Sequence, residues 1–253
     1  MMSVSWLNYS PGIAMLAVGF GSMAFWFFIR RAKPVIILYF LLGAALWVVA
    51  IAPKYVMDYT VTTPSYMLLA NYLPPLAMLI LLSLYVGLRT GLFESGFTYL
   101  ILKYTGLARM GFDDAVMLGI GFGGIEAIFL GVQWLLGIGP LISSPSDPLS
   151  YIPAFERLFA LFCHVFATVL VVYSIKLNDL RLLVLSIAYK TALDGALYPL
   201  QYLFGTGLSG IFIIEGYVAV MGILGLLGLY WMSKKLGGGT RVARKAGNTD
   251  TGH

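Results

Sequence analysis

The chain has 253 residues, of which 60% are hydrophobic and only 11% charged. A water-soluble domain of that length needs far more charge to cover its surface, so the composition excludes an ordinary soluble globule and favours an integral membrane protein. The formal charge of +5 does not point to nucleic acid, because the basic residues stand at the ends of apolar runs and in the C-terminal stretch, where they act as topology signals.

The opening segment MMSVSWLNYSPG lacks the basic stretch of a cleavable signal peptide, so the first apolar run reads as a retained helix. A spanning helix takes about 20 mostly apolar residues. Residues 12–29 and 35–52 each supply one, and 53–65 reads as an outer connection. The stretch 66–105 holds apolar residues for almost two spans, but Pro74-Pro75 and Arg89-Thr90-Gly91 interrupt it. Charge asymmetry sets the count. A single crossing puts Arg30, Arg31, Lys33, Arg89, Lys103, Arg109, Lys176, Arg181, Lys234, Lys235, Arg241, Arg244 and Lys245 on one face, with Lys54 opposite and Arg157 near it. Two crossings destroy that bias. Residues 90–105 are then either a short in-plane or re-entrant helix, or the end of one long helix starting near Pro75.

Further spans fall at 113–137, 153–175, 181–204 and 209–232, with a second outer connection at 138–152. The expected architecture is an all-α polytopic bundle of about seven spanning helices plus one short in-plane or re-entrant helix. It sits in the cell membrane with its N-terminus outside and its C-terminus cytoplasmic. Residues 1–232 form one domain, and 233–253 are a basic, Gly-rich, disordered tail that meets anionic lipid. No internal repeat is visible, which counts against an inverted-repeat transporter.

Ionisable groups within the hydrocarbon are costly and point to function. At about 1.5 Å per residue, Glu126, His164, Lys190 and Asp194 fall in one layer near mid-membrane on three consecutive helices. Glu126 with His164 has the makings of a general base and a proton-shuttling or oxyanion-stabilising partner; the plainer reading is a hydrogen bond that glues two helices. Lys190 and Asp194, one turn apart, are expected to neutralise each other. Glu156, Arg157 and Glu215 lie nearer the outer face and read as an ion pair closing the bundle. Glu94, in GLFESG, is either an interfacial carboxylate or a group aimed at the site.

No cofactor is expected. His253 ends the tail, so His164 is the one usable histidine, a poor match for a catalytic zinc site. The single cysteine, Cys163, builds neither a disulfide framework nor a thiolate site. The glycines of GFGGIE sit in an apolar helix and serve close packing rather than phosphate binding. No Ser–His–Asp set with a nucleophile elbow is present.

Three segments carry a resemblance. GLFESGFTYL (91–100), GIGFGGIEAIFLG (119–131) and ERLFALFCHVFATVLV (156–171) followed by AYKTALDGAL (188–197) resemble, in order and spacing, motifs of the YhfC family of intramembrane proteases. That family is related to the CAAX-processing and bacteriocin-processing glutamic proteases. The resemblance implies that Glu94, Glu126, His164 and Asp194 are the catalytic set, with a glutamate activating water and histidines stabilising the oxyanion. The chain departs from the pattern at four positions: Ser95 stands where a second glutamate is expected, Thr98 for an arginine, and Phe122 and Lys190 for histidines.

Three functions follow as expectations. The first is a divergent intramembrane peptidase using Glu94 or Glu126 as base. The second is an inactive pseudoprotease that binds a membrane-protein helix or a lipidated peptide. The third is a small solute or ion transporter built on the charged layer. Membrane lipids are partners in all three, and nucleic acid in none.

Overall fold

The computed structural model describes residues 9–30, 34–138, 148–205 and 207–246, with side chains as far as residue 235. Among the described residues every regular element is a helix. This is what lipid demands of a chain that must satisfy its backbone polar groups internally. Ten α-helices follow in order: α1 Ser10–Arg30, α2 Ile36–Met57, α3 Thr63–Leu69, α4 Pro75–Thr90, α5 Phe97–Thr105, α6 Phe112–Leu135, α7 Ile152–Lys176, α8 Leu180–Gly195, α9 Leu197–Phe204 and α10 Leu208–Ala246.

Two pairs of these helices are joined without a loop, through π-helical turns at Asp58–Thr62 and Gly91–Gly96. Ile36–Leu69 is therefore one element of 34 residues, and Pro75–Thr105 one of 31. The expected connection at 53–65 is thus corrected: it is helix. Pro64 has no N–H for the carbonyl of Thr60 and its ring crowds that group, and the widened turn before it absorbs the mismatch. Of the two alternatives for 90–105, the structure has the end of a long helix. Gly106, at φ 70°, terminates it in the left-handed region.

Among the described residues, six helices are long and apolar enough to cross a membrane: Ser10–Arg30, Ile36–Leu69, Pro75–Thr105, Phe112–Leu135, Pro148–Lys176 and Leu208–Lys235. The chain is a multi-pass membrane protein. The run expected at 181–204 is divided into α8 and α9. Pro199 explains the break, because its ring would collide with the carbonyl of Gly195 in a continuous helix. Helix α10 runs on to Ala246; of the expected disordered tail, 247–253 lie outside the described residues, as do 139–147 of the 138–152 connection.

Helices α6 and α7 form the centre. Helices α1 and α2 pack on α6, α8 and α10 pack on α7, and α4 packs on α8. Leu118, Phe122, Val165, Val169, Leu170 and Val172 fill the core between them. Glycine permits the tightest crossing: a Cβ on Gly43 would stand 2.0 Å from the Leu118 carbonyl, and one on Gly121 2.0 Å from that of Phe40. On the α7 side of the same helix, a Cβ on Gly123 would meet that of His164 at 3.0 Å. The GFGGIE glycines therefore serve packing, and they hold α6 close enough to α7 for Glu126 to reach His164.

Candidate functional site

The polar centre is a chain of seven ionisable side chains joined end to end. Lys54 Nζ, on α2, donates to Glu94 Oε1 at 2.7 Å. Lys190 Nζ, on α8, donates to Glu94 Oε2 at 2.7 Å and also reaches His164 Nδ1, on α7, at 2.5 Å. His164 Nε2 lies 2.8 Å from Glu126 Oε2, on α6. Arg157, on α7, then uses one guanidinium nitrogen on Glu126 Oε1, at 2.5 Å, and another on Glu156 Oε1. Lys54, Glu94, His164 and Lys190 are all buried.

With Lys190 as an ammonium, donor–acceptor logic assigns the rest of this chain. An ammonium only donates, so His164 Nδ1, facing Lys190, is the acceptor. Nε2 then carries the proton and donates it to Glu126. A neutral imidazole leaves three cations (Lys54, Lys190 and Arg157) against three carboxylates (Glu94, Glu126 and Glu156). These seven groups balance one another, and each oxygen of Glu94 and Glu126 has a donor.

Glu94 is aimed by the π-helical turn Gly91–Gly96. Consecutive residues Glu94 and Ser95 are both buried, one facing Lys54 and Lys190, the other donating to or accepting from Ser186 on α8 at 2.8 Å. Ser186 in turn donates to the carbonyl of Ala167 at 2.9 Å. Neighbouring Arg89 and Thr90 turn to other partners: Arg89 to Asp58, and Thr90 Oγ1 to Asp194 Oδ2 at 2.6 Å.

The layer joins Glu94, Glu126, His164 and Lys190 directly and leaves Asp194 at its margin. The expected Lys190–Asp194 pair is corrected. Lys190 bonds to Glu94 and His164, which together offer an anionic oxygen and a lone-pair nitrogen, while Asp194 is held by Thr90. Arg157 does pair with Glu156 but also reaches inward to Glu126, so it belongs to the layer rather than closing the bundle. Glu215 takes no part in that pair, and its Oε2 is buried with no hydrogen-bond partner among the described residues. Arg89, counted as a face charge, is buried and paired with Asp58, so it reports on neither face.

Sequence reasoning missed Lys54 and Ser186. Lys54 carried a usable signal: with Asp58 four residues later, it has the spacing of one helix face, which argues for continuing the helix past residue 52.

A layer of glutamates, a histidine and their cationic partners, buried around Glu94, His164 and Lys190, lies inside a multi-pass helix bundle. The chain matches the YhfC intramembrane metalloprotease family over residues 13–147 and 136–218 and belongs to that family. No curated protein and no solved structure matches it.

The family description names a metal, and the residues here do not fit one. A catalytic zinc takes three donors with free lone pairs at about 2.0–2.2 Å. His164 is the one imidazole of the layer, and its Nδ1 faces an ammonium. Every oxygen of Glu94 and Glu126 is held by a nitrogen donor. The remaining side of the histidine is closed by Phe122, whose ring centroid lies 5.2 Å from that of the imidazole. Among the described residues no three His, Cys, Asp or Glu side chains are placed to share an ion.

Proposed function

We propose that this protein is a catalytically silent member of its family, a pseudoprotease that holds a membrane-protein helix without cutting it. The observation that carries this reading is the closed charge layer. Hydrolysis by a glutamate needs an oxygen free to take a proton from water and a partner free to stabilise the developing oxyanion. Here the four carboxylate oxygens of Glu94 and Glu126 are bound to Lys54, Lys190, His164 and Arg157, and both nitrogens of His164 are engaged.

The partner's place is a lateral cleft of about 610 Å³ beside the first half of α4, between α3 and α9, lined by Thr62, Tyr66, Leu73, Tyr198, Gln201 and Tyr202 among others. Tyrosines, two threonines and a glutamine set among apolar side chains suit a helix that brings a few polar side chains into the membrane. In this reading the N-terminus is outside and the C-terminus cytoplasmic. Arg30 meets Asp113, and Lys176 meets the carbonyl of Met110, so the basic ends of α1 and α7 gather at the start of α6.

The peptidase reading retains one supporting observation. A cavity of about 10 Å³ touches Glu94, Ser95, Thr98, Thr168 and Lys190, room for about one water molecule. Photo-crosslinking in native membranes from positions 66 and 202, with position 25 of α1 as control, separates the two. The expected result is a crosslink from 66 and 202, but not 25, to the membrane segment of a full-length protein, with its length unchanged in E94Q and E126Q. A shortened partner that appears with the wild-type protein and disappears in E94Q or E126Q would establish the peptidase instead.

A further inference from the structure

In the middle of the layer, a pair of donors suited to a metal ion converges on an ammonium group. Lys190 Nζ is 2.7 Å from a carboxylate oxygen of Glu94 and 2.5 Å from Nδ1 of His164. On a third side the Phe122 ring centroid lies 5.6 Å away and offers its π face. We propose that Lys190 is a tethered cation standing where a metal would sit, and that its ammonium organises Glu94 and His164 in this chain.

Charge and space both favour the ammonium. Lys54, Lys190 and Arg157 already balance Glu94, Glu126 and Glu156 around a neutral His164. A divalent ion added to those seven groups would leave positive charge that Asp194, held by Thr90 at their margin, can only partly offset in a low-dielectric interior. The adjoining cavity, about 10 Å³, admits no hydrated divalent ion. Lys190, by contrast, brings one charge on a covalent stem and needs no free-ion concentration to stay in place.

The proposal has a constructive corollary. If the ammonium occupies a metal position, exchanging it and the phenyl ring for imidazoles should create a site. F122H/K190H would place two imidazoles beside His164 and release an oxygen of Glu94, giving a nitrogen-rich set of the kind zinc prefers.

The test is elemental analysis of the full-length protein, purified in detergent with zinc in the buffer and then desalted, together with its melting temperature with and without a chelator. Wild type is expected to retain less than about 0.1 zinc per chain and to melt unchanged with chelator, whereas F122H/K190H retains about one and loses stability when it is stripped. Stoichiometric zinc in the wild-type protein overturns the proposal, as does a folded F122H/K190H that takes none. K190A keeps the question open to measurement if the double variant does not fold. Methylammonium should raise the melting temperature of K190A and leave wild type unmoved, and no response in K190A would also overturn the proposal. The inference stands apart from the pseudoprotease reading. A metal-free wild type that cleaves a partner defeats only that reading, and a zinc-loaded wild type that cleaves nothing defeats only this one.

Discussion

Replacing Lys190 by methionine would keep the length and apolar stem of the side chain while removing the charge that faces Glu94 and His164. Removing one partner of a buried ion pair typically costs about 3–5 kcal/mol, because the other charge stays buried without compensation, whereas replacing all partners with apolar groups is often near neutral. K190M should therefore lower the melting temperature in detergent more than the triple variant K54M/E94L/K190M does, although the triple variant removes more contacts. The reverse order would mean that Lys190 is not balanced by Glu94. The sequence shows why such residues share a depth but not which of them pair. Counting along helices puts Glu126, His164, Lys190 and Asp194 in one layer; the first three are joined, and Asp194 stands at the margin on Thr90. The pairing of Lys190 depends on how α4, α7 and α8 are rotated about their axes, which a one-turn spacing to Asp194 does not encode.

At the level of elements, the α2–α6 crossing rests on two glycines from opposite helices, each against the other helix's backbone. Backbone atoms cannot rotate away as a side chain can, so a β-carbon at either position must push the helices apart and empty the core beside Phe122. G43L and G121L are each expected to lower expression and melting temperature sharply. G96L is the control, since nothing lies within 4 Å of a Cβ at Gly96. If G43L melts like G96L, the crossing is not as close as described. The spans themselves were legible because long apolar runs permit few alternatives in lipid. The segment 53–65 was not. Pro53, Lys54, Asp58, three threonines and Pro64 within 13 residues look like a loop until their partners are known. Lys54 meets Glu94, Asp58 meets Arg89, and Thr62 accepts from Arg89. Thr60 turns back to the carbonyl of Val56, but Lys54, Asp58 and Thr62 are answered by the other long helix, Pro75–Thr105, and that reciprocity is a tertiary property.

For the whole molecule, the number of crossings decides where the ends lie. Six helices qualify by length and composition, and an even count would put both termini on one side. Helices α8 and α9 together cover Leu180 to Phe204 with only Ala196 between them, enough residues for a seventh crossing at about 1.5 Å each. Seven crossings place the termini on opposite faces and put Lys234 and Lys235 on the same face as Arg30, Lys103, Arg109, Lys176 and Arg181, the arrangement the positive-inside rule favours for the cytoplasm. Cysteine labelling can resolve this, because the one native thiol, Cys163, is fully buried and C163A removes it from consideration. In that background, N71C and G137C should react with a membrane-impermeant maleimide on intact cells, and G106C, N178C and S233C only after lysis; labelling of S233C on intact cells would mean that α8 and α9 do not cross. Labelling of N71C and N178C from the same side would mean that the helices between them cross an even number of times. One of Pro75–Thr105, α6 and α7 would then fail to cross, and Glu94, Glu126 and His164 would no longer share a depth. The charge layer and the topology therefore stand or fall together, since the antiparallel order of α4–α5, α6, α7 and α8 is what brings Glu94, Glu126, His164 and Lys190 to one level.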